Sequence, residues 1–275
     1  MINIPSRLSG LLFICLFSSQ ICFSQSQFIP NDTIWKRTVY RMLDLNRPAN
    51  RNMMYIDSSY NHGGLIAIII KGLETNELDG YKDINDKQSM DTLSFEEIQL
   101  RMGARNETIR DRQDVDGRPI ADTVIWTGPE FANVTLYEFI EEYYFDKRNS
   151  KFGKKIISIC PIRVYQKKDN INLSYEQDDY AMKKIAWIKF DQLKKLLDKT
   201  KLEDASNQNS FYHYFESDNY YDSYIIRINN NFDKGISEYS GNSESTVLQP
   251  NLETILESRR IEYELHNFEM NLWEF

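Results

Sequence analysis

Apolar positions along the chain change their period several times, and each change marks an element. Trp35, Val39, Met42 and Leu43 recur at i, i+4, i+7 and i+8, which predicts a helix over Thr33 to Asp44 with Asp32 as its cap. Asn46 to Gly64 is rich in Asn, Arg, Ser and Gly and reads as a loop. The run from Leu65 to Leu73 is ambiguous: its isoleucines favour a strand, whereas the missing polar alternation and Gly72 near its end fit a helix. A short strand is expected near Leu78 to Tyr81. Ser94 and Glu97 have the S-x-x-E spacing of a capping box, which leads a short helix carrying Phe95, Ile98 and Leu100 to a stop near Gly103.

The middle of the chain is β-rich. Leu136 to Phe145 and Ile156 to Cys160 are two apolar runs about the polar stretch Asp146 to Lys151, so they predict an antiparallel hairpin. Pro161 lacks a backbone donor, so the second strand is expected to end there or to lie on an edge. Ile185 to Phe190 alternates as another strand, and Asp191 is placed to cap a helix with Leu193, Leu196 and Leu197 on one face. Phe211 to Phe215 and Tyr220 to Ile226 are dense aromatic segments. Asn229 to Gln249 is rich in Asn, Ser and Gly and reads as an insertion or tether. A long helix from about Asn251 to Asn271 then places Ile261, Leu265, Phe268 and Leu272 on one stripe. Together these elements predict an α+β fold: an antiparallel, hairpin-rich sheet packed with several short helices and closed by a long C-terminal helix.

The beginning of the chain belongs to export rather than to the fold. Arg7, the short apolar run Leu11 to Phe17 and the small residues Cys22 and Ser24 form the three parts of a secretory signal over residues 1–24. A lipoprotein signal on Cys22 is disfavoured by Ile21 and Ser19 before it. The run is too short to span a membrane, as is Leu65 to Ile70, which meets Lys71. The remainder, 25–275, is read as one mature domain, with lobes over 25–120 and 121–275 as a further division. Removing the signal leaves Cys160 as the one cysteine, so packing rather than a disulfide must hold the fold.

Composition narrows the function. The chain has 275 residues, 41% hydrophobic and 27% charged, which excludes wholesale disorder. Its net charge of −8 argues against nucleic acid as a partner, because phosphate neutralisation needs a surplus of Lys and Arg. The charge is uneven: residues 203–275 hold 14 acidic and 4 basic side chains. Phosphate-binding, dinucleotide-binding, zinc-protease and nucleophile-elbow motifs are missing, and no cofactor or metal is implied. His62, His213 and His266 lack metal-ligand spacing, and His62-Gly63-Gly64 reads as a turn. Asp111 to Gly117 fails as a calcium loop, since Arg112 and Thr123 fall where ligands must be. Glu141-Glu142 and Asp178-Asp179 point to opposite faces if extended and make poor acid/base dyads. The lysine-rich stretches 147–155 and 183–201 read as solubilising faces or as docking sites for an acidic partner. Aromatics make 13% of the chain, and the chain stays apolar through Trp273 and Phe275. Both features suit an interface, for which Leu265, Phe268, Leu272, Trp273, Phe275, Tyr220, Tyr221 and Tyr224 are the candidates.

Asp32 to Leu45 resembles the opening of the GldN/PorN family, gliding-motility and type IX secretion proteins of Bacteroidetes. Tyr143 to Arg148 and Ile159 to Ile162 resemble its central segment. Trp187 to Phe190, Ser210 to Phe215 and Leu272 to Phe275 follow in the family's order. The resemblance implies a periplasmic, non-enzymatic subunit associated with the inner face of the outer membrane. Such a subunit assembles with itself and a GldK/PorK-like lipoprotein into a ring and meets a GldM/PorM-like motor component. On this reading the C-terminal helix is an assembly element, and truncation after Pro250 is expected to leave a folded core that forms no ring. A monomeric periplasmic glycan- or peptide-binding protein is the alternative, and it requires one concave aromatic pocket rather than spread patches.

Overall fold

The computed structural model describes residues 33–54, 64–84, 91–109, 123–148, 150–166, 180–201, 210–216, 222–229, 235–236, 250 and 252–272. The signal segment 1–24, His62, the 111–117 loop, Asp178-Asp179 and most of the 229–249 insertion lie outside them, as do Tyr220, Tyr221, Trp273 and Phe275. The architecture is α+β. Strands β1 (Thr33–Asp44), β4 (Val134–Asp146), β5 (Lys151–Gln166), β6 (Tyr180–Lys184) and β8 (Ser223–Ile228) form one antiparallel sheet in the order β6-β5-β4-β1-β8. The two-residue β7 (Ile188–Lys189) also pairs with β5. A separate ribbon joins β2 (Arg105–Ile109) to β3 (Thr123–Thr127). Among the described residues, five α-helices accompany the sheet: α1 (Gly64–Glu74), α2 (Phe95–Arg101), α3 (Phe190–Lys199), α4 (Phe211–Glu216) and α5 (Leu252–Leu272).

The segment expected to be the first helix is β1, a strand flanked by β4 on one side and β8 on the other. From Val39 to Leu43 it is buried on both faces, which hides the period of two and leaves spacings that mimic a helix. Trp35, Thr38, Val39 and Tyr40 supply β-branched and aromatic content that suits a pleated surface. The ambiguous run is α1, buried on nearly every side. Its Gly72 packs so closely that a Cβ there would lie 2.6 Å from both Leu196 and Leu78. Asn76, at φ 56°, supplies the left-handed turn just beyond the helix.

The β4–β5 hairpin forms as the pattern predicts, with Asp146 opposite Lys151. Pro161 corrects its expectation: β5 runs through it, and the strand is interior. The Pro161 carbonyl accepts a hydrogen bond from the Ile185 amide at 3.0 Å, so its missing donor faces the break between β6 and β7 rather than β4. The predicted Ile185–Phe190 strand shortens to β7, because Trp187 bridges Tyr81 instead; the strand expected at Leu78–Tyr81 is reduced to isolated bridges from Tyr81 to Trp187 and to Thr92. Asp191 is not the cap of α3, since the helix begins at Phe190 with Lys189 in the cap position. Its carboxylate lies in the first turn, where it faces the positive end of the helix dipole. The capping box at α2 is complete. The Ser94 amide donates to Glu97 at 2.8 Å, and the Glu97 amide donates to the Ser94 hydroxyl at 3.2 Å.

One face of the sheet carries two helical covers. Leu43, Tyr137, Phe139, Ile156 and Ile159 pack beneath α1, α3 and α4, where Phe215 meets Phe139 and Phe190 at ring distances of 5.6 and 5.8 Å. Further along the same face, Val39, Ile225 and Ile228 pack beneath Ile261 and Leu265 of α5. The boundary between the covers is charged.

Candidate functional site

Arg41 sits at that boundary, in the middle of β1 and almost wholly buried. Its Nε donates to Glu141 of β4 at 3.0 Å, and its Nη1 donates to Glu262 of α5 at 2.6 Å and to the Ser223 hydroxyl of β8 at 3.2 Å. Lys154 of β5 adds a second cation 3.7 Å from Glu141, whose side chain is fully buried. Burial alone would lower the pKa of the guanidinium, but the nearby charges of Glu141 and Glu262 outweigh it and hold the group well above its usual value. Four elements of the chain therefore meet on one cation. Glu142, one residue on, points to the other face and takes Lys36 at 2.9 Å. The adjacent carboxylates diverge, as strand geometry requires.

Two further contacts fix α5 over the sheet. The Ile225 amide of β8 donates to the Ser258 hydroxyl at 2.7 Å in a buried setting. Beyond Leu265, Phe268 stacks on Trp35 at 4.4 Å, and Phe152 closes the set at 5.8 Å from Trp35 and 6.0 Å from Phe268. This clasp accounts for part of the aromatic surplus.

The candidate interface residues divide accordingly. Leu265 is buried against the sheet, Phe268 belongs to the clasp, and Leu272 at the helix end is half-buried. Tyr224 lies on the opposite sheet face, beside Met42, Leu136 and Ile162. Burial, reinforced by the Asp44 carboxylate, pushes its hydroxyl up to about 12. The described candidates thus occupy two faces rather than one patch. Sequence reading missed Arg41, Glu141 and Glu262, whose pairing depends on strand register. It also missed a second apolar side of α5, where Leu252, Leu256, Tyr263 and Met270 are exposed. The signal for that side was present in the spacing of those four residues.

Among the described residues, two surface grooves stand out. One, of about 450 Å³, lies between the β4–β5 hairpin and α3/α4, where Tyr144, Tyr212, Phe190 and Phe215 mix with Lys154, Lys155, Lys194, Asp191 and Glu216. The Tyr212 hydroxyl holds the Lys194 ammonium above its usual range. The other, of about 470 Å³, is lined by Arg105, Glu130, Asn133 and Arg163 among others. Burial would raise the Glu130 carboxyl, but hydrogen bonds from Asn133 and Arg105 and the charge of Arg163 hold it below its usual value. Among the described residues, no group of three or more His, Cys, Asp or Glu is placed to hold a metal ion. Cys160 is buried, and burial pushes its thiol up, away from the reactive thiolate.

The fold and the site define an α+β scaffold in which buried charges tie a C-terminal helix to an antiparallel sheet. The chain belongs to the GldN family, for the family model of gliding motility associated protein GldN matches residues 29–274. The resemblance seen in the ordered segments is thus a membership, and it places the chain among gliding motility components rather than in a known enzyme family. A comparison with curated proteins returned no match. Among the described residues no helix is long and apolar enough to cross a membrane.

Proposed function

We propose that this protein is a non-enzymatic structural subunit of the periplasmic ring of the type IX secretion and gliding machinery. The match of the GldN family model to nearly the whole mature chain carries the reading. On it, residues 1–24 direct export, and the mature domain assembles with itself and with a GldK/PorK-like lipoprotein. That lipoprotein ties it to the inner face of the outer membrane, and a GldM/PorM-like motor component is a further contact. The arrangement of the aromatics supports assembly over ligand capture. Among the described residues they are spread over a clasp under α5, a core set about Phe215, the groove wall at Tyr144 and Tyr212, and exposed Trp126 on the β2–β3 ribbon, so no one pocket gathers them. Co-expression of the full chain with a GldK-like lipoprotein tests the proposal. A co-purifying assembly of ring size is expected on gel filtration with mass detection; a stable monomer that never joins the lipoprotein overturns it.

A further inference from the structure

α5 has two apolar sides, and the sheet uses one. Thr254, Ser258, Ile261 and Leu265 are buried toward the sheet. At about 100° per residue, Leu252, Leu256, Tyr263 and Met270 fall within about 40° of one another on the side roughly opposite. They are 70%, 54%, 66% and 52% exposed. Single exposed apolar residues are ordinary on a protein surface, but four in line along one helix form a stripe, although not an unbroken one. With Arg259 and His266 in the gaps, the positions step by four and three alternately, which is the a/d spacing of a helix–helix seam. A seam of that period fits a helix laid along it, since a strand repeats every two residues.

The charges decide which helix. α5 carries five glutamates against two arginines. Glu262 turns inward to Arg41, and Arg260 pairs with Glu257 and Glu264. The outward side is left with four glutamates against two arginines and a net negative charge. A second copy laid along the seam would set two acidic helices side by side, where like charges repel. A basic helix would be drawn in. We infer that the outer face of α5 docks an amphipathic helix of another protein, with an apolar a/d stripe flanked by Lys and Arg. The inference goes beyond the ring reading and stands without it, because it rests on one helix face.

The test uses the full chain and a labelled synthetic helix of about three heptads, Leu at a and d and Lys at e and g. Anisotropy titration is expected to show binding that strengthens at low salt. The uncharged double substitution Leu256→Gln/Tyr263→Gln should weaken it about thirtyfold, with circular dichroism and Tm unchanged. Met270→Gln, further along the stripe, should weaken it about tenfold and serves if the double variant folds poorly. A probe with Glu in place of Lys should bind about tenfold more weakly than the Lys probe. Affinity unmoved by the stripe substitutions overturns the inference. So does a concentration-dependent homodimer dissolved by the same substitutions, which would assign the face to a second copy.

Discussion

Arg41 is a cation buried within a sheet, and its value lies in what it ties together rather than in raw stability. A buried ion pair recovers its desolvation cost only through good geometry, and apolar replacements of both partners are often neutral or better. Removing one partner alone is different. Arg41→Leu strips the closely bonded guanidinium from buried Glu141 and from Glu262, and is expected to cost about 3 kcal/mol. The double substitution Arg41→Leu/Glu141→Leu should return most of that loss. Urea unfolding measures both, and equal losses in the single and double variants would show that the apolar pair cannot pack in the charged pair's place. None of this was legible from the sequence. Arg41 and Glu141 lie 100 residues apart, and only the β1–β4 register brings them to one face.

At the scale of elements, local signals held wherever the chain itself satisfies them. The capping box at Ser94 closes within four residues, so its spacing alone specified it. Ser94→Ala removes the acceptor for the Glu97 amide and should lower stability by about 1 kcal/mol, read from the denaturation midpoint. The Ser94 amide, and with it the Ser94 hydroxyl that alanine would remove, donate to the Glu97 carboxyl and hold it below its usual range. A depressed carboxyl contributes stability above its unfolded pKa and loses that contribution as pH falls through the folded value. Ser94→Ala should therefore matter less in acid than at neutrality. The β4–β5 hairpin was legible for the same reason, with two apolar runs and a polar turn between them. β1 was not, because a strand buried on both faces loses its alternation. Pro161 misled as well: its fit depends on where β6 ends and β7 begins, which nothing near Pro161 in the sequence records.

In the whole molecule, α5 is both cover and surface. Ile261 and Leu265 close a cluster with Val39, Ile225 and Ile228, so truncation after Pro250 would expose that cluster along with Arg41 and Glu141. The shortened chain should lose about 5 kcal/mol of stability and unfold at much lower denaturant. The deletion therefore reads folding, and substitutions on the outer stripe are what separate assembly from folding. The amphipathic pattern near the C-terminus fixed the existence, the length and one apolar stripe of this helix. The sequence by itself also determined the α+β class, the hairpin, the acidic last third and the family, because each rests on neighbouring residues or on an order along the chain. The tertiary structure alone decided that Thr33–Asp44 is a strand between β4 and β8, that Leu265 and Phe268 turn inward, and that one cation holds four elements. Those facts depend on strand register and on which faces are covered, and burial on both faces erases the periodicity from which a sequence can be read.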